Sequence, residues 1–344
     1  MTDILSMDIA ELKGLMTDLN APSYRAVQIF EWLHRRGAES FEEMDNLPKA
    51  LRAALSERCT IASCRLAKTV SSDDGTQKFL YELSDGVLIE SVLMKYSFGH
   101  SICISTQAGC RMGCRFCASG AQGLVRNLTA GEMCAQIYQP IAKCDQLDHA
   151  TPNIVLMGCG EPLDNFEATI RFLELIGHPK GAGVGARHIT VSTCGLVPQI
   201  RTLADMRLQI NLAVSLHGPT DSVRRDLLPI AKRYSIGELM EACRYYIEMT
   251  NRRITFEYAL VRGVNDSPGH AADLRELLTG ILCHVNLIPV NPGAESRFLP
   301  TLRKEAEVFA DILRRGRVTA TVRRTIGEDI KAACGQLVSI ASYQ

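Results

Sequence analysis

Apolar residues recur at helical spacing through the first 60 residues. Ser6 stands ahead of Met7, Ile9 and Leu12 as a cap, and Ala26, Val27, Ile29, Phe30, Trp32 and Leu33 form a second stripe that Gly37 ends. Leu47, Pro48 and Lys49 open a third, short helix. From about residue 60 the pattern changes to strand-like runs. Asp73-Asp74-Gly75 and Ser84-Asp85-Gly86 are turn signals, and hairpins are expected through 78–83 and 87–92. Beyond residue 98 short apolar strands alternate with helical stretches. Strands are expected at 102–106, 153–157, 188–192, 210–215, 254–260 and 285–289, with a further one at 318–323 and a helix such as 235–249 between them. No internal repeat or low-complexity tract interrupts the series.

Six β/α units in series predict an α/β fold with a parallel sheet curled into a partial or full barrel, with its chemistry on the loops leaving the C-terminal strand ends. The expected organisation is an N-terminal helical accessory domain over 1–60, a β-hairpin linker over 61–97 and a core over 98–344. A chain of 344 residues with 46% hydrophobic residues can bury a full core without a staple. Lys plus Arg and Asp plus Glu both number 38, which excludes a strongly basic, histone-like binder but not local patches. No apolar run approaches a membrane span, and Met1-Thr2-Asp3-Ile4 lacks the form of a signal peptide, so a cytoplasmic protein is expected.

Thirteen cysteines, an odd number without a secretion signal, argue against a disulfide framework. Isolated ones such as Cys243 and Cys283 read as core packing. Cys110, Cys114 and Cys117 are different: three thiols within eight residues on the loop after the first core strand. Three protein thiolates leave one iron of a four-iron cluster open to another ligand. Zinc is the alternative, but it needs a fourth ligand, and no His or Cys lies close in sequence to supply it.

Gly158-Cys159-Gly160-Glu161-Pro162 follows the second strand, where glycines let backbone approach a ligand and Glu161 can receive an amine. Ser192 ends the third strand, Ser215, Leu216 and His217 the fourth, and Asn291 follows the sixth. Each alone reads as turn chemistry; together they ring one barrel mouth. The spacing Cys-x3-Cys-x2-Cys, with Phe116 before the third Cys on the first loop of such a series, resembles the radical S-adenosylmethionine superfamily. That resemblance implies a partial (β/α)6 barrel and a 4Fe-4S cluster on Cys110, Cys114 and Cys117. Its open iron would bind S-adenosyl-L-methionine, which reduction cleaves to a 5′-deoxyadenosyl radical.

Cys103 lies seven residues before Cys110, and Cys334 sits in a short glycine-flanked stretch near the C-terminus; buried packing is the plain alternative for both. With Ser23-Tyr24-Arg25, Leu47-Pro48, Arg126-Asn127-Leu128-Thr129, Val264-Asn265-Asp266 and Ala332-Ala333-Cys334-Gly335-Gln336-Leu337, the chain closely resembles the RlmN/Cfr family of rRNA adenine methyltransferases over nearly its whole length. The resemblance makes Cys334 the S-methylated carrier, Cys103 the thiol that resolves the RNA adduct, and Glu90 the proton acceptor. It makes Gly160, Glu161, Ser192, Ser215, Leu216, His217 and Asn291 contacts to S-adenosyl-L-methionine, two of which are used per turnover. The implied target is carbon 2 of adenosine 2503 in 23S rRNA, and of adenosine 37 in some tRNAs. Pro162, Leu163 and Asn165 after Glu161 match the carbon-2 pattern, whereas the carbon-8 group tends to Ala there. Cys159 stands where the family usually has Met, and Cys194 adds a thiol beside Ser192.

RNA contacts are less legible. Basic pairs at Arg224-Arg225, Lys232-Arg233, Arg252-Arg253, Arg314-Arg315 and Arg323-Arg324, and a tail over 301–344 with 8 basic against 5 acidic side chains, are the expected phosphate contacts. The 1–60 domain is expected to help hold structured RNA despite its 7 basic and 10 acidic residues. The remaining expectations are a monomer, an electron donor such as flavodoxin or ferredoxin, and no membrane. Two alternatives stay open: a carbon-8 methyltransferase conferring antibiotic resistance, and a non-catalytic zinc- or cluster-bearing RNA-binding protein, which would need neither Cys103 nor Cys334.

Overall fold

The computed structural model describes the chain except residues 63, 98, 144–151, 292–297, 325 and 338–344. Strand β1 (Thr2–Asp3) leads into helices α1 (Ile9–Asp18), α2 (Arg25–His34) and α3 (Lys49–Arg58), and β2 (Cys59–Thr60) returns to pair with β1 in parallel. Asp8, not Ser6, caps α1. Its carboxylate accepts the Glu11 N–H while the Glu11 carboxylate accepts the Asp8 N–H, a reciprocal pair that fixes the start two residues later than Ser6 would. Ser6 instead donates to Asp3 and accepts the Gly131 N–H.

The main sheet begins with β3 (Arg65–Ser71), β4 (Gln77–Glu82) and β5 (Leu88–Tyr96), an antiparallel meander. Strand β6 (Gly99–Cys103) follows, then a small hairpin of β7 (Gln107–Cys110) and β8 (Gly123–Asn127) that frames the short helix α4 (Ala118–Gln122). Helix α5 (Ala130–Lys143), β9 (Asn153–Leu156), α6 (Phe166–Gly177), β10 (Ile189–Thr193), α7 (Val197–Asp205) and β11 (Asn211–Ser215) continue the alternation. It runs on through α8 (Asp221–Leu227), α9 (Ile236–Thr250), β12 (Ile254–Leu260), α10 (Pro268–Leu278), β13 (Cys283–Pro289), α11 (Arg303–Arg315) and β14 (Thr319–Val322).

These strands form one ten-stranded sheet in the order β14-β13-β12-β11-β10-β9-β6-β5-β4-β3. The seven from β6 and β9 to β14 are parallel, each beside its successor in the series. Residues 61–97, expected as a linker, are hydrogen-bonded into the same sheet through β5 and β6. The first core strand ends at Cys103, earlier than the 102–106 pattern suggests. The Ser105 backbone leaves the ladder because the Gln136 side chain on α5 accepts its N–H and donates to its C=O, both at 2.9 Å. That exchange turns the chain toward β7 and the thiol loop.

Strand β12 shows how alternation builds the barrel. Ile254, Phe256, Tyr258 and Leu260 are fully buried, while Thr255 and Glu257 line an internal cavity. A continuous apolar core joins the barrel's helices to α1–α3, with Leu12, Ile29, Phe30 and Leu33 in it. Polar ties cross the same junction: Arg171 on α6 pairs with Asp8 and Glu11, and His34 on α2 meets the Tyr138 hydroxyl on α5 at 2.9 Å.

Candidate active site

Cys110 closes β7, and Cys114 and Cys117 follow before α4. The hairpin is held close by Gly109 (φ +74°), where a Cβ would stand 1.9 Å from the Gly123 carbonyl oxygen; only glycine fits. All three thiols are free and face a cavity of about 160 Å³. Gly160, Glu161, Ser192, Ser215, His217 and Asn291 line the same cavity, brought there from the ends of β9, β10, β11 and β13. Leu216 does not: it is buried in the wall, and its backbone ties Glu257 C=O to the Arg224 guanidinium.

Gly160 has φ +108°, and a Cβ there would meet the Gln107 N at 2.7 Å, so the loop lies against β7 with no room for a side chain. The Glu161 carboxylate accepts N–H groups from Leu163 and Cys194, and burial nonetheless pushes its carboxyl up. His217 accepts the Ala259 N–H on Nδ1 at 2.9 Å. Burial first, then the Arg224 charge, pull its pKa down to about 3, so the ring is neutral with its proton on Nε2, a donor for the cavity.

A second cavity of about 500 Å³ runs down the barrel interior and is lined by Cys103, Arg187, Arg253, Glu257, Asn286 and Arg323 among others. Cys334 lines both cavities. Its tail is held from two sides. The Ser119 hydroxyl and the Ala118 N–H donate to the carbonyls of Leu337 and Gly335, while the β3–β4 turn contributes Ser72 to Asp329 and Asp74 to the Gly327 N–H. Cys103 is buried beside Cys159, Ala332 and Leu337; burial first, then the Cys334 sulfur, push its thiol well up. Glu90 lines neither cavity. It is buried on the face of β5 that carries Val92, in an ion pair with Lys78 at 3.1 Å, and Lys78 also reaches the Lys331 carbonyl in the tail.

Three thiols from one loop face one cavity, a donor set that fits a four-iron cluster with one iron left open to another ligand. Burial pushes Cys110 up to about 12 and Cys114 higher, so bound iron is what would hold them as thiolates. The cradle at Gly160, with polar groups from four strands, suits a compact ligand bearing amine, carboxylate and hydroxyl groups.

Sequence reasoning did not name Glu257, and it read Arg224 and Arg323 as phosphate contacts without placing them at the site. Arg224 was among the expected phosphate contacts, but it is fully buried and donates to the carbonyls of Cys194, Ser215 and Leu216. Arg323 turns into the cavity with Nη1 4.0 Å from the Cys334 sulfur. Arg314 of another basic pair is engaged by Glu307 and Asp311.

Residues 2–61 match the family described as the ribosomal RNA large subunit methyltransferase N-terminal domain, and residues 104–274 match the radical SAM superfamily. A crystal structure of a radical SAM methyltransferase from Sphaerobacter thermophilus is similar throughout: TM-score 0.95, 46% identity, covering 98% of this chain and 99% of that one. Fold and thiol loop thus define a radical S-adenosylmethionine methyltransferase. A probable dual-specificity RNA methyltransferase RlmN of Clostridium perfringens is 51% identical over 338 residues, 98% of this chain and 96% of the relative. The Bacillus subtilis protein of the same description is 48% identical over 334 residues, 97% and 92%. The chain belongs to the RlmN family of RNA methyltransferases. It uses a 4Fe-4S cluster and S-adenosyl-L-methionine, two per turnover. Among the described residues no helix is long and apolar enough to cross a membrane.

Proposed function

We propose that this chain methylates carbon 2 of adenosine 2503 in 23S rRNA and of adenosine 37 in some tRNAs, with Cys334 as the methyl carrier. One observation carries the reading: Cys334 stands where the cluster-side cavity meets the larger cavity that Cys103 lines. Bound there, the cluster and S-adenosyl-L-methionine supply a transferable methyl group and a hydrogen-abstracting radical.

Cys110, Cys114 and Cys117 hold the cluster in this scheme. Gly160, Glu161, Ser192, Ser215, His217 and Asn291 orient the cofactor, with Leu216 acting through its backbone. The Cys334 sulfur accepts the methyl group and presents it to the base across the junction. Once the Cys334 methyl group has lost one hydrogen atom, its carbon bonds to the ring carbon; RNA is then joined to Cys334, and one electron departs to the donor system. Glu90 takes the ring proton; to reach it the Lys78 tie to the tail must loosen. The Cys103 thiolate then attacks the Cys334 sulfur. An S–S bond forms, the C–S bond breaks with its electron pair going to the product carbon, which takes up a proton to become the methyl group, and two external electrons with two protons reset the thiol pair. A low-potential donor such as flavodoxin or ferredoxin supplies the electrons, and the protein works as a cytoplasmic monomer. The target adenine leaves its stack to enter the larger cavity.

Two variants test the thiols. Cys103→Ala keeps the carrier and loses the resolver, so it accumulates RNA attached through Cys334. Cys334→Ala attaches none. A nuclease-sensitive shifted band on a denaturing gel for the first variant alone is the expected result; bands with the roles exchanged invert the assignment. Nucleoside mass analysis reads carbon 2 against carbon 8.

A further inference from the structure

Glu257 is a buried carboxylate for which the cofactor scheme has no use. It sits at the middle of β12 with about 5% of its surface exposed. One oxygen accepts the Asn286 amide at 2.9 Å, and the other, Oε2, is buried with no partner. An unpaired carboxylate oxygen out of water is costly, and its place in a cavity wall means that something arriving there completes it.

The wall is shared. Glu257, Cys334, Arg323, Met157, Ile288 and Asn291 line both cavities, so they form the neck between them. Arg323 faces both functional groups: its Nη1 approaches the Cys334 sulfur at 4.0 Å, and its charge acts on Glu257. Two visitors could donate to Oε2, the cofactor or the substrate base. In the smaller cavity, which Glu257 also borders, the proposed scheme already assigns the cofactor's polar groups to Glu161, Ser192, Ser215, His217 and Asn291. The larger cavity is lined by Cys334 and Cys103, the carrier of the methyl group and the thiol that later attacks the carrier's sulfur in the proposed scheme. Among its described lining residues Glu257 is the only carboxylate.

Resting on the reading of the chain as an adenosine methyltransferase, we propose that Glu257 is the specificity-determining residue of the base site, accepting a hydrogen bond on Oε2 from the exocyclic 6-amino group of the target adenine. Adenine offers a donor at that position, whereas guanine and hypoxanthine present a carbonyl, which would face the carboxylate oxygen acceptor to acceptor. A site built to bond a donor rejects the analogue that lacks it, because its own polar group is left unpaired.

The test compares a short target stem-loop carrying adenosine with the same transcript carrying purine riboside, which lacks the amine, at the target position. Methyl incorporation is measured for the wild type, Glu257→Ala and Glu257→Gln. For the wild type kcat/KM falls roughly 10- to 100-fold on the purine transcript, the loss of one hydrogen bond to a charged group. For Glu257→Ala the adenosine-to-purine ratio collapses to within about threefold of the ratio set by ring electronics alone, which a nonenzymatic comparison of the two nucleosides supplies. Glu257→Gln keeps an acceptor and an almost identical shape, so it recovers part of the discrimination and serves if the alanine variant does not fold. Two results overturn the proposal. One is a ratio that stays at the wild-type value while activity falls, the mark of a structural carboxylate. The other is a tenfold rise in KM for S-adenosyl-L-methionine with the ratio intact, which gives the carboxylate to the cofactor. If the wild type methylates neither transcript under conditions that load its cluster, the adenosine methyltransferase reading fails instead.

Discussion

Arg224→Met removes a buried side chain that ties the ends of two site-bearing strands together. Its Nη2 donates to Cys194 C=O at 2.7 Å and to Ser215 C=O at 3.3 Å, and its Nε donates to Leu216 C=O at 3.2 Å. Those carbonyls belong to the segments that carry Ser192, Ser215 and His217. Methionine fills most of the space but donates nothing. Each buried carbonyl left without its charged donor costs about 1–3 kcal/mol. Some of that sum returns, because a buried guanidinium without a carboxylate partner is itself expensive; burial pulls its pKa below the ordinary arginine value. A net loss of about 3 kcal/mol follows, within the range for breaking a buried polar network. At about 2 cal/mol/K per residue of unfolding entropy, a chain this long shifts its midpoint by only about 4 °C for that loss.

The functional effect is larger than the thermal one, since the freed strand ends carry the cofactor contacts. The anaerobic, cluster-loaded variant should show the lowered midpoint by calorimetry and bind S-adenosyl-L-methionine about tenfold more weakly by equilibrium dialysis. Arg224→Lys keeps a charge but not the fork that spans three carbonyls, and should fall between the two. An unchanged midpoint together with unchanged affinity would refute the reasoning, and so would a lysine variant equal to wild type.

Gly160→Ala forces a side chain into a φ of +108° and against the Gln107 backbone, at a cost of about 1–3 kcal/mol; KM for S-adenosyl-L-methionine should rise roughly 10- to 100-fold with the cluster spectrum retained. Asp74→Ala deletes the acceptor for the Gly327 N–H and loosens the tail, so mass analysis of the Cys334 peptide should show less S-methylation, with Asp74→Asn restoring most of it; full methylation in the alanine variant would argue that the tail holds itself. His34, whose pKa burial and then His178 lower to about 3, stays neutral in the fold while the unfolded chain binds a proton below about pH 6.5. Stability therefore falls with pH between about 6.5 and 3, and His34→Gln should flatten urea-derived stability against pH by about 1.4 kcal/mol per unit there, an unchanged slope being the contrary result.

The parts of the site that were legible in the sequence are those whose geometry is local. Cys110, Cys114 and Cys117 lie on one loop, and the polar strand ends fall at the barrel mouth wherever the alternation puts a strand, so each needed only a correct element. The strand 254–260 was placed to the residue, because its ends are marked by Arg252-Arg253 and a turn. Ser6 and Ser105 mark where local reading runs out: the first loses to a reciprocal pair two residues on, the second to an amide from α5 that no pattern announces.

The basic doublets show a more general limit. Neighbours in a helix lie about 100° apart, and neighbours in a strand point to opposite faces. Arg224 on α8 is buried while Arg225 reaches outward toward Asp221, and Arg323, just past β14, lines both cavities whereas Arg324 lines only the larger. The two members of a doublet beside a lumen therefore face different surroundings, and counting both as one outer phosphate grip overstates the patch. The same alternation, applied to charge instead of apolarity, could have found Glu257. Ile254, Phe256, Tyr258 and Leu260 fix one face of β12 as the packed one, and the charged residue between them must then stand inside the barrel. A carboxylate at an inward strand position has no solvent to retreat to, so its partner has to be looked for in the site itself.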